Sequence, residues 1–130
     1  LDSQALADIT TTLLDRLAKA CSEIAIVEVA DGLLQSETAA IVEMAREHLW
    51  FDGVVFAAAD AMGAAFGASW LAKRDMMPLA ISGLVSASPL AAGEASQATH
   101  LSVVTLADLR DPVAVTKLAF RGDPVSVLAA

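Results

Sequence analysis

Apolar positions recur at two periods along this chain, and the alternation between them predicts its elements. From Ser3 to Ala20, Leu6, Ile9, Leu13, Leu14 and Leu17 fall on one stripe, the spacing of an amphipathic helix. Glu23–Val29, "EIAIVEV", is a near-continuous apolar run rich in β-branched residues, as in a strand covered on both faces. Ser36 then offers a cap for a helix reaching Leu49, with Ala40, Ile41, Met44 and Leu49 as its buried side. The cycle repeats with a strand over Asp52–Asp60 and a small-residue helix over Met62–Lys73. "PLAISGLV" (Pro78–Val85) predicts a third strand, followed by a helix with Ser88 as cap and Pro89 in its first turn. "LSVVTL" (Leu101–Leu106) predicts a fourth strand, and Asp111 with Pro112 opens a last short helix. "PVSVLAA" at the end of the chain reads as an edge strand.

Strands alternating with helices of this length predict parallel pairing through right-handed crossovers. The expected fold is α/β: a three-layer, Rossmann-like domain with a mainly parallel sheet of four to five strands and helices on both faces. Residues 1–130 read as a single domain of this kind. The small residues Gly63, Ala64, Gly67 and Ala68 suit close packing of helix on sheet.

Composition narrows the partners. The net charge is −8 with eight basic residues spread along the chain, which excludes the lysine and arginine footprint of a nucleic-acid binder. The uncharged run Met76–Gly93 is long enough to question as a membrane span, but Pro78, Pro89 and its glycines and serines break it. No membrane partner is expected. A single cysteine, Cys21, excludes an internal disulfide; it reads as a buried structural thiol and points to a cytoplasmic protein. At 56% hydrophobic residues, the chain is expected to leave an apolar patch near Trp50, Phe51 and Trp70 for a missing N-terminal segment or a second copy, making a homo-oligomer.

Ligands of open parallel sheets bind beyond the carboxyl ends of the strands. Those ends carry Glu28, Asp31, Gly32, Asp60, Ser86, Ser88, Thr105 and Asp108, an acidic and hydroxylic rim that only Arg110 and Arg121 among the basic residues could reach. Carboxylates with hydroxyls and no lysine suit magnesium, with Glu28, Asp31 and Asp60 as the metal candidates. Helix capping is the competing role for Asp60 and Ser88, and a turn for Asp31. Glu28 differs, since a glutamate is a poor strand former at the end of an apolar run. No nucleophile constellation or phosphate-loop motif is present, and His48 and His100 lack metal-ligand spacing.

"IVEVADGLL" (Ile26–Leu34) resembles the "VEGAGGLL" segment of the dethiobiotin synthetase and cobyrinic acid synthase group of P-loop proteins. The unit from Asp52 to Ser88 and the "HLSVVTLADL" stretch (His100–Leu109) are similar to that group's following units, so short patterns cover roughly Leu13 to Leu109. The resemblance implies that Glu28 helps bind magnesium, that Gly32 and Ser86 stand at nucleotide-contacting positions, and that ATP and a small-molecule acid are the ligands. Val29 and Asp31 replace two of the group's glycines, Ser86 replaces its asparagine, and the group's N-terminal strand, phosphate loop and first helix have no counterpart. The start at Leu1 then suggests the C-terminal part of a longer protein. Two functions are therefore expected: the C-terminal portion of an ATP-dependent, ligase-like enzyme domain, or a non-catalytic α/β ligand-binding or assembly module.

Overall fold

A computed structural model describes residues 3–21 and 24–119 of the chain. They gather into two compact units, Leu1–Trp50 and Phe51–Ala130.

The first unit is helical. Helix α1, Ser3–Lys19, buries Leu6 and ends with Arg16 and Lys19 in its last turn, where cations favour the dipole. Helix α2, Ser36–Glu47, packs on α1. Its buried face is Thr38, Val42 and Ala45, one position round from the expected stripe, and Leu49 is exposed. The setting of α2 explains the rotation. The Thr38 hydroxyl donates to the Ala30 carbonyl at 3.0 Å, which turns this face towards the preceding loop. Gln35, not Ser36, is the N-cap, and the Ser36 hydroxyl donates instead to the Glu37 carboxylate at 2.8 Å.

The second unit contains the sheet. Strand β1, Val55–Ala57, pairs in parallel with β2, Ala80–Ser82, with Phe56 opposite Ile81. Helix α3, Ala61–Ala72, connects them. A 3-10 turn over Leu84–Ala87 leads into α4, Pro89–Thr99, which packs on α3. Two short helices follow, α5 (Leu106–Arg110) and α6 (Pro112–Ala119). The core is Ala58, Ala64, Ala68, Ile81, Val85, Ala95 and Leu101, with Phe56 and Val103 against it. Small residues dominate that list because the elements approach closely: a side chain at Gly67 would run into the Phe56 ring.

This architecture overturns the expected fold class. The described residues hold six α-helices and one two-stranded parallel sheet, not a three-layer Rossmann-like sheet of four to five strands. Local capping chemistry cuts the apolar runs short. The expected 52–60 strand keeps only Val55–Ala57 before Asp60 starts α3, and the third keeps Ala80–Ser82 before Gly83 turns the chain at φ 90°. In 101–106 a single bridge, Val103 to Ile81, precedes the Thr105–Asp108 capping box that opens α5, a helix absent from the sequence reading. Ile24–Val29 is neither strand nor helix, with Ile24 73% and Ile26 92% exposed. A short apolar run reports hydrophobicity; a strand also needs a neighbour to complete its ladder. The expected edge strand at 124–130 lies outside the described residues.

Four helices stop on a non-glycine residue in the left-handed region: Cys21, Leu49, Asp75 and His100, at φ 53°, 52°, 58° and 57°. After α2, the Trp50 N–H donates to the Ala45 carbonyl at 3.0 Å and the Leu49 N–H to the Arg46 carbonyl at 3.3 Å. After α3, the Met76 and Asp75 N–H groups donate to the Leu71 and Ala72 carbonyls, each at 3.1 Å. Both are Schellman closures without the usual glycine. Cys21 is exposed, not buried as expected. Among the described residues, no helix is long and apolar enough to cross a membrane.

Candidate functional site at the strand ends

The carboxyl ends of β1, β2 and the Val103 bridge each run into the first turn of a helix or 3-10 turn, so the starts of α3, α4 and α5 belong to one rim. Each helix start is satisfied from within. The Gly63 N–H donates to the Asp60 carboxylate at 2.7 Å, and the Ala91 N–H donates to the Ser88 hydroxyl at 3.4 Å. The Asp108 N–H donates to the Thr105 hydroxyl at 3.2 Å, while the Thr105 N–H and hydroxyl donate back to the Asp108 carboxylate at 2.8 and 2.7 Å. Those bonds from Thr105 hold the Asp108 carboxyl below its ordinary value. Capping is therefore what Asp60 and Ser88 do.

The other sequence candidates scatter. Glu28 and Asp31 lie exposed in the first unit, Asp31 in the left-handed region at φ 66°; Asp60 lies in the second unit. Gly32 is exposed with open space around it, so nothing in its surroundings requires a glycine. The Ser86 hydroxyl donates to the Gly83 carbonyl at 2.8 Å inside the 3-10 turn. Among the described residues, no three His, Cys, Asp or Glu side chains gather into a group able to hold a metal ion. A cleft between α5 and α6, lined by Val104, Asp108, Leu109, Ala114, Val115 and Leu118, has room for about a water molecule, far below a small-molecule site.

What occupies the rim surface is apolar. Met62, Leu84, Leu90 and Leu106 are 85%, 72%, 73% and 62% exposed. Each is the first or second residue of its helix or turn, directly after a cap or the Gly83 bend. Position explains the exposure: a first-turn side chain leans beyond the end of the helix and away from the sheet. The spacing of apolar residues joins Met62 and Leu90 to their helices and Leu84 and Leu106 to the expected third and fourth strands, which hides all four. The signal was a large apolar residue one or two places after a cap, in "DAM", "SPL" and "TL". The aromatic patch expected near Trp50, Phe51 and Trp70 is half-buried: His48 stacks on Trp50 with ring centres 5.1 Å apart, and the Arg74 guanidinium lies 3.5 Å over Trp70. No family model matches this chain, and no curated protein or solved structure is found to be similar to it.

Proposed function

We propose that this chain is a non-catalytic binding and assembly module that docks another protein surface through the apolar rim at its strand ends. The observation that carries the reading is the placing of Met62, Leu84, Leu90 and Leu106, all more than half exposed, within two residues of the caps and the Gly83 bend that follow the strand ends. The capped helix starts add to it. With Asp60, Ser88 and Thr105 already filling them, a phosphate approaching α3 would meet a carboxylate. The candidate occupants include a second copy and an N-terminal segment of a longer protein. A cytoplasmic setting goes with this reading, supported by the free thiol of Cys21.

The test uses a neutral apolar dye. Nile red fluorescence should rise with the wild-type protein and rise clearly less with a Met62→Gln/Leu84→Gln/Leu90→Gln variant, whose circular dichroism should be unchanged. Equal fluorescence from both proteins would remove the rim as an accessible apolar surface, and the reading with it.

A second reading, the C-terminal part of an ATP-dependent enzyme with Glu28 on magnesium, is favoured by one observation. Glu28 stands exposed at the end of its apolar run, three residues before the left-handed turn at Asp31, and so is open to a cation. Its candidate donors Glu28 and Asp31 belong to one unit and Asp60 to the other.

A further inference from the structure

We infer that the segment docking on this rim is basic and amphipathic, with leucine-like residues for Met62, Leu84, Leu90 and Leu106 and lysine or arginine beside them. The inference rests on the docking reading above and adds the partner's chemistry.

Acidic side chains border the four apolar ones. Asp60 stands two residues before Met62, Glu94 one helical turn after Leu90, and Asp108 two residues after Leu106, with Asp111 one turn further on. Arg110 stands between Asp108 and Asp111, and Lys73 and Arg74 follow the C-terminal end of α3. Glu94, Asp108 and Asp111 are exposed, as is Asp60. A chain of net charge −8 adds a long-range field of the same sign.

This decides among the occupants. A second copy would bring one acidic border against the other, and like charges across an interface cost affinity. An acidic or neutral segment gains nothing from the border. A basic amphipathic segment satisfies both halves of the surface: its apolar face covers the four exposed side chains, and its cations meet the rim carboxylates.

The test measures binding of two synthetic helical peptides of equal length, one of leucine and lysine and one of leucine and glutamate, to the full chain by NMR shift mapping. The leucine–lysine peptide should bind, shift the amides of residues 61–63, 84–91 and 105–108, and weaken several-fold when salt is raised to about 0.5 M, where screening is nearly complete. Glu94→Gln should weaken it further. The Met62→Gln/Leu84→Gln/Leu90→Gln variant, which keeps every charge, should lose it. Equal binding of the leucine–glutamate peptide would overturn the basic assignment while leaving the apolar rim standing. Undiminished binding of the leucine–lysine peptide to the triple variant, or failure of both peptides to bind, would overturn the inference and the docking reading together. Binding to phosphatidylcholine vesicles in place of the peptide would overturn the assignment to a protein segment.

Discussion

Gly83 crosses Ala58 so closely that a side-chain carbon at Gly83 would lie 2.8 Å from both the nitrogen and the oxygen of Ala58. The crossing is clamped by two bonds, from the Ala58 N–H to the Ser82 carbonyl at 2.9 Å and from the Val85 N–H to the Ala58 carbonyl at 3.0 Å. Gly83 also holds φ 90°, which an L side chain resists. Backbone cannot yield as a flexible side chain does. Gly83→Ala should therefore destabilise the protein by roughly 2–4 kcal/mol, the sum of a strained φ and an overpacked contact. Urea unfolding would measure it; a loss below about 0.5 kcal/mol, the range of ordinary surface changes, would contradict the geometry.

Leu49 makes the opposite case. It occupies the left-handed position that closes α2, and it is 85% exposed, so its side chain stabilises little by burial. Glycine removes the steric cost of roughly 1–2 kcal/mol but adds freedom to the unfolded chain. Leu49→Gly should raise stability by about 0.5–1 kcal/mol net, read as a higher melting temperature. A lower one would show that the leucine packs against something in solution.

The Thr105–Asp108 box predicts a pH effect with a definite sign. Asp108 is held below its ordinary value of 3.8 by the Thr105 hydroxyl first and the Thr105 backbone N–H second. Because the folded value is the lower one, this contribution is complete above the unfolded value and fades as pH falls through the folded one. Carboxyl NMR titration should place Asp108 below a reference aspartate, and Thr105→Val should move it back up. An Asp108 that titrates normally in the wild type would mean the box is open in solution.

Magnesium distinguishes the two functional readings. Millimolar magnesium should leave the melting temperature unchanged, because stabilisation by mass action needs a site that prefers the folded state, and an exposed Glu28 is equally available in the unfolded chain. A rise that Glu28→Gln abolishes would instead favour the ATP-dependent enzyme.

A buried aliphatic tests the core of the second unit. Ile81 is fully buried, pairs with Phe56 and contacts the Val103 bridge. Ile81→Ala should cost about 2–5 kcal/mol. Retention of wild-type stability would mean that the sheet is not the centre of that unit.

Local chemistry was legible in the sequence wherever a segment determines its own form. Helix α1, the helices after Asp60 and Ser88, the Pro112 start of α6 and the caps of α3 and α4 all follow from spacing and side-chain hydrogen bonds within a few residues, although Ile9 and Leu13 of the α1 stripe stand exposed. Helix ends were harder, because Cys21, Leu49, Asp75 and His100 hold a conformation that a reader assigns to glycine. Strands were decided by tertiary structure alone. Ala80–Ser82 and Ile24–Val29 are both apolar runs, yet only the first has Val55–Ala57 beside it to complete a ladder. Likewise, "DAM" and "SPL" announce a cap, but whether Met62 and Leu90 then enter the core or stand on the rim depends on which way the helix leaves the sheet. Capping is settled by atoms three residues apart; pairing and exposure are settled by what the rest of the chain brings alongside.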